Sequence, residues 1–227
     1  MTFIPATYPW PFDGDLGRRN TALLAIDMQV DFCAPDGWVD QLGESIDNTR
    51  RPIAAIARLL AAARCVGLTI VHTREGHRPD LSDLNPNKRW RTRAHGLGIG
   101  DIGRCGRILT RGEPGHAIVP ELAPRAGEIV IDKPGKGSFH ATDLDRILRA
   151  RSIRNLIIVG VTSDCCVQST MRDAADLGYE CLLVRDATGA VEAENHEGAL
   201  AIIEAHGGRW GAVGAAADVV VAIDRFA

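Results

Sequence analysis

Short apolar runs alternate with stretches of helical spacing along this chain, and that rhythm restricts the fold more than any other feature. The runs are residues 22–26, 68–73, 128–132, 156–160 and 180–185. Each is too short for an ordinary helix and is bounded by turn residues or charge, so each reads as a strand. Ile129-Val130-Ile131 and Ile157-Ile158-Val159 are β-branched and apolar on successive positions, as in strands covered on both faces. The intervening spacing predicts helices over 53–63, 142–150, 166–177 and 195–206, with Gly67, Gly178 and Gly207-Gly208 as stop signals. Strand and helix in alternation imply an α/β chain: a three-layer α/β/α, Rossmann-like, doubly wound parallel sheet. Residues 218–223 form a further short strand or helix, expected to close one edge.

At 227 residues the chain fits a single domain spanning 1–227, with an N-terminal arm over 1–20. Residues 74–115 break the rhythm with many Gly, Pro and Arg and little periodicity. Such a long loop inside a compact domain is expected to serve the active site or an interface. The 26 basic and 29 acidic residues nearly cancel, so no bulk field recruits nucleic acid or an acidic membrane. No apolar run is long enough to span a bilayer, and the N-terminus lacks the pattern of a secretory signal. A cytoplasmic setting with free thiols is therefore expected for the six cysteines, among which no C-x-x-C pair occurs.

Two glycine patterns are decoys. Gly98-Ile99-Gly100-Asp101-Ile102-Gly103 matches a dinucleotide fingerprint by letter, but Arg and Trp precede it where a strand is needed. Residues 134–138 echo a phosphate loop without its first glycine or its Lys-Ser/Thr pair. Glu75 and His77 could begin a metal site, but further ligands at compatible spacing are missing, so they read as a polar loop with no metal.

Ligands of open parallel sheets bind beyond the carboxyl ends of the strands. The first run delivers Asp27 there, the third Lys133, and the fourth Thr162-Ser163-Asp164-Cys165-Cys166 before a helix. A carboxylate, an ammonium and a thiol on one rim are the parts of a nucleophilic hydrolase. Cys166 is the expected nucleophile. The first turn of the helix and Lys133 are both expected to favour its thiolate, with Asp27 shuttling the proton.

The segments Asp27-Met28-Gln29-x-Asp31-Phe32, Lys133-Pro134 with Gly137-Ser138-Phe139, and Gly160-Val161-Thr162-x-Asp164-x-Cys166-Val167 together resemble the isochorismatase-like cysteine hydrolases. The resemblance covers nearly the whole chain and implies a six-stranded parallel sheet and an Asp27–Lys133–Cys166 triad. It also implies a cis peptide at Val161–Thr162, placing the Thr162 and Cys166 N–H groups as an oxyanion hole. Metal-site histidines of the nicotinamidases are missing, so neither metal nor other cofactor is expected.

Within that family the stretches 8–11, 72–81, 87–91, 105–115 and 132–139 are most similar to biuret hydrolases. The resemblance implies an amidohydrolase that cleaves a C–N bond of biuret or triuret through a Cys thioester and releases ammonia. Ureidoacrylate or another ureide is the alternative substrate. An inactive binding member of the fold and a Cys165–Cys166 redox sensor are the non-hydrolase alternatives. His206 stands where biuret hydrolases carry a substrate-contacting Gln, and Phe32 is expected to wall the pocket. The expected partners are a small uncharged ureide, water and other copies of the chain in a homotetramer. The Tyr8-Pro9-Trp10-Pro11 arm and the Trp-containing loop are the expected subunit contacts.

Overall fold

A computed structural model describes residues 3–226; Met1 and Thr2 of the expected arm, and Ala227, lie outside the described residues. Six strands form one parallel sheet: β1 (Thr21–Ile26), β2 (Thr69–Glu75), β3 (Ile129–Lys133), β4 (Asn155–Val161), β5 (Glu180–Gly189) and β6 (Ala212–Gly214). The order across the sheet is β3-β2-β1-β4-β5-β6, and every pairing is parallel. The chain winds outward from β1 through β2 to β3, then returns to the other side of β1. The reversal point therefore lies between β1 and β4, where ligands of such sheets bind.

Six helices matter for the argument: α1 (Ile53–Val66), α2 (Pro86–Arg93), α3 (Leu144–Ala150), α4 (Gln168–Asp176), α5 (Ala193–Glu204) and α6 (Ala216–Asp224). Strand alternation sorts the core into two layers. Leu23, Ala25, Ile157, Val159, Leu182 and Val184 meet Ile56, Leu59 and Leu60 of α1 and Val219 and Ile223 of α6. Their neighbours Ala22, Leu24, Ile26, Leu156, Ile158 and Leu183 meet Leu144 and Leu148 of α3, Met171 of α4 and Leu200 and Ile203 of α5. Every residue of β1 and of β4 is buried, which explains why those runs are apolar on consecutive positions. α1 ends where Gly67 turns left-handed at φ 67°, a conformation that costs glycine little.

Several expectations need correction. The segment 74–115 is not a bare loop: Arg74 and Glu75 extend β2, and α2 lies within it. α2 has no buried residue, so it shows no apolar stripe to betray it in the sequence. Residues 218–223 belong to α6, which packs on α1; the sheet edge is formed instead by β6, only three residues long. The arm folds back on its own chain. Trp10 is fully buried in the core, Thr7 N–H donates to Val213 O, and Tyr8 O–H donates to Glu180 Oε1 at 2.8 Å. Trp10 is thus an intrachain anchor.

Residues 98–103 lead into a two-stranded hairpin (Ile102–Gly103 with Gly106–Arg107), with no helix N-terminus to hold a pyrophosphate. All six cysteines are free thiols. No helix among the described residues is long and apolar enough to cross a membrane.

Candidate active site

The carboxyl ends of four adjacent strands build the site. β1 ends at Ile26, and Asp27 follows with φ 50°, a left-handed turn that Asp tolerates better than most residues. The turn is held by Asp27 N–H donating to Thr73 O and Gln29 N–H donating to Asp27 O. Thr73 O–H donates to Asp27 Oδ1 at 2.6 Å, and Lys133 Nζ from the end of β3 sits 2.7 Å from Oδ2. Both side chains of this ion pair are completely buried. Lys133 also donates to Gly135 O at 3.0 Å and Lys136 O at 2.8 Å, so its three protons are all used. Burial opposes its charge, but Asp27, Cys166 and Glu75 outweigh burial and raise its pKa.

β4 crosses closest to β1 at Gly160, which pairs with Ile26 and has φ 112°. A Cβ there would collide with the Ile26 carbonyl, so only glycine lets the two strand ends approach. The next peptide, Val161–Thr162, is cis, as the resemblance implies. Ser163–Val167 then forms a single π-helical turn ahead of α4. Cys165 N–H and Val167 N–H both donate to Thr162 O, and the Cys166 N–H between them takes part in neither bond.

Cys166 is buried, and its thiol faces Asp27 and Glu75: one ligand atom from each of the three lies within 4.8 Å of the others. The expectation of a thiolate favoured by a helix N-terminus is corrected here. The Cys165 thiol, burial and the carboxylates of Asp27 and Glu75 push the Cys166 thiol up, against the pull of Lys133 and Lys136. Attack therefore needs a base to take the thiol proton.

Glu75 is the residue that the sequence misplaces: it reads as part of a polar loop. It is the last residue of β2, pairs in register with Lys133, and is completely buried. Its Oε1 accepts from Lys88 Nζ of α2 at 2.7 Å, and its Oε2 accepts from Lys136 Nζ at 3.0 Å. Oε2 also accepts from Cys166 Sγ at 3.5 Å. Burial alone would raise its pKa, but Lys136, Lys133 and Lys88 hold the carboxyl well below the usual range. The sign that could have found it is the strand end. The run read as stopping at Thr73 continues for two residues because Arg74 pairs with Asp132 and Glu75 with Lys133.

Asp27, Glu75 and Cys166 would form a ligand set for a metal by composition. The ammonium groups of Lys133, Lys88 and Lys136 already occupy the cation positions against both carboxylates. This donor set does not suit a divalent ion. His77 faces away to Asp83, Nδ1 to Oδ1 at 3.2 Å.

A cavity of about 580 Å³ adjoins this cluster, lined by Trp38, Leu42, Glu44, Lys88, Arg91, Thr92, His95, Gly135 and Lys136. Lys88 and Lys136 line the cavity and both bond Glu75, which in turn accepts from the Cys166 thiol. Phe32, 8 % exposed, packs on Trp38 with ring centroids 6.3 Å apart, and so backs the cavity wall without lining it. His206 does not join the site. It is exposed, in a left-handed turn at φ 60° after α5. Its neighbour Gly208 approaches Tyr8, which bonds Glu180 at the start of β5, on the rim opposite Cys166.

Asp31, from the same motif as Asp27, is buried and ties that motif to the long segment by accepting Leu109 N–H at 2.9 Å. Burial pushes its carboxyl up to about 6 from an ordinary 3.8, against the backbone N–H groups of Leu109 and Trp38. A raised carboxyl pKa stabilises the fold below the unfolded value, and that stability is lost as pH rises through the folded one. Denaturant titrations should show wild type losing about 2 kcal/mol between pH 4 and 6.5 relative to Asp31→Asn, which does not titrate.

A family model described as the isochorismatase domain matches residues 21–213. The chain is 36% identical over 175 residues to the ureidoacrylate amidohydrolase of Azorhizobium caulinodans, covering 75% of this chain and 76% of that protein. It is 34% identical over 184 residues to the ureidoacrylate amidohydrolase of Agrobacterium fabrum, covering 76% and 77%. Among solved structures, a cysteine hydrolase from Pseudomonas syringae pv. phaseolicola superposes with a TM-score of 0.81 at 26% identity, covering 100% of this chain and 99% of that one.

Proposed function

The chain belongs to the isochorismatase domain family, and its curated relatives are named amidohydrolases; from that premise we propose a cysteine amidohydrolase of small ureides with Cys166 as nucleophile. The observation that carries this reading is the buried Asp27–Lys133 ion pair, 2.7 Å long, beside a buried thiol. Asp27 takes the thiol proton as Sγ attacks the carbamoyl carbon. Glu75 is the weaker base, because two ammonium groups are in direct contact with it. Asp27 and Glu75 carry two negative charges against the three positive charges of Lys88, Lys133 and Lys136. The surplus positive charge favours the anion that develops during attack. The Thr162 and Cys166 N–H groups receive the oxyanion in this reading. Collapse breaks the C–N bond as Asp27 returns its proton to the leaving nitrogen, and water then cleaves the thioester.

A ureido acid of the ureidoacrylate kind is the favoured substrate. The curated relatives bear that name, and Arg91 lines the cavity beside Lys88 and Lys136, three cations against Glu44 in the lining and Glu75 behind it. Biuret or triuret is the second reading, favoured by the similarity of stretches 87–91 and 132–139, which carry Lys88 and Lys136. Ammonia release measured for ureidoacrylate, biuret, triuret and nicotinamide separates them. Turnover of at least one ureide and not of nicotinamide is expected; turnover of nicotinamide alone would sink the ureide assignment. The homotetramer belongs to the same reading, and Phe12 and Trp90, 74% and 72% exposed, are aromatic side chains that an assembly would cover.

A further inference from the structure

Glu75 has no part in the proton transfers above, yet it accepts from the Cys166 thiol while both of its lysine partners line the cavity. Its contacts account for nearly all of its capacity. Oε1 accepts from Lys88 at 2.7 Å and from Lys136 at 3.1 Å; Oε2 accepts from Lys136 at 3.0 Å and from the Cys166 thiol at 3.5 Å. A carboxylate offers about four acceptor positions, and a thiol is the weakest donor of this set. The position filled by the thiol empties when its proton leaves, at the moment the substrate arrives. No water-facing surface exists there to compensate, because Glu75 is completely buried.

We propose that Glu75 is the specificity-determining residue of the site: its Oε2 accepts an N–H of the carbamoyl group being attacked, in place of the Cys166 thiol. This rests on the reading of the chain as a ureide amidohydrolase. It assigns the long segment a task as well, since Lys88 of α2, also bonded to Pro134 O at 2.6 Å, holds the carboxylate in line. A carbamoyl or amide nitrogen satisfies the emptied position. An ester oxygen turns a lone pair toward a buried anion and is rejected, because sites built to bond an N–H leave a polar group unpaired with the analogue that lacks it.

The test needs no turnover. Iodoacetamide and methyl iodoacetate carry the same electrophilic carbon, one beside an N–H₂ and one beside an ester oxygen. Alkylation forms Sγ–C and expels iodide in both cases. The rate at Cys166, read by mass spectrometry of its peptide, gives an amide-to-ester ratio that is normalised to the ratio for glutathione. Wild type should exceed glutathione by roughly tenfold to a hundredfold, the worth of a charge-assisted hydrogen bond. Glu75→Gln should bring the ratio toward that of glutathione, and Glu75→Asp, which keeps the charge but withdraws it by one methylene, should fall between. A wild-type ratio equal to that of glutathione overturns the proposal. So does an unchanged ratio in folded Glu75→Gln or, if that variant does not fold, in Glu75→Asp. Failure of the ureide panel with the ratio intact would remove the substrate assignment and leave the N–H preference standing. A working panel with no ratio would do the reverse.

Discussion

Cys166→Ala should lower ammonia release from the preferred ureide by at least about ten-thousandfold, as losing a covalent nucleophile does elsewhere. The size of the loss follows from the surroundings. No other thiol shares the contact with Asp27 and Glu75, and the remaining groups are arranged to assist a sulfur attack. The fold should change little, by about 1 kcal/mol, because the removed atom is small and its bond to Glu75, at 3.5 Å, is a weak one. Cys165→Ala is the matched control. Its side chain is half-buried and packs at the margin of the α3–α4 core, so most activity should survive. Equal loss in both variants would favour the vicinal redox pair over the hydrolase.

Lys133→Met is expected to damage stability as well as activity. The ammonium is fully buried and neutralises a carboxylate that is also fully buried. Breaking one side of such a pair strands a charge away from water and costs about 3–5 kcal/mol. For a chain of this size that is a fall in Tm of about 6–20 °C by calorimetry. Loss of the bonds to Gly135 O and Lys136 O would also release the turn that carries Lys136 against Glu75. Activity should fall by at least about a hundredfold to a thousandfold, the usual loss for one preorganised electrostatic group. Acidifying the buffer, which discharges the orphaned carboxylate, should narrow the stability gap to wild type. A gap that widens on acidification would show that Asp27 is not the partner that matters.

Much of the fold could be read from the chain because β1 and β4 are apolar on both faces and announce a covered parallel sheet. β6 could not: three residues, Ala212-Val213-Gly214, make too short a run to stand out, and pairing with Leu182–Val184 is what makes it a strand. α2 was silent for the opposite reason, since a helix with no buried face leaves no periodicity. Asp27, Lys133 and Cys166 were legible because each lies just beyond an apolar run. Glu75 lies in the same position on β2, but its strand ends in Arg74-Glu75, two charged residues that read as loop. Only the pairing with Asp132 and Lys133 supplies the partners that let those charges continue a strand. Proximity of Lys133 to the Cys166 thiol was legible; the opposing contact with the Cys165 thiol and burial beside two carboxylates were not. His206 was assigned by analogy of position, and in this fold α5 carries it to the far rim.

The central claim is that Cys166 becomes acylated by the substrate during turnover. Quenching the reaction in acid within the first turnovers and mapping the cysteine peptides by mass spectrometry tests it directly. An acyl adduct on Cys166 that decays as ammonia appears, and is missing in Cys166→Ala, is the predicted result. Full turnover with Cys166 unmodified throughout, or an adduct confined to Cys165, would contradict the account.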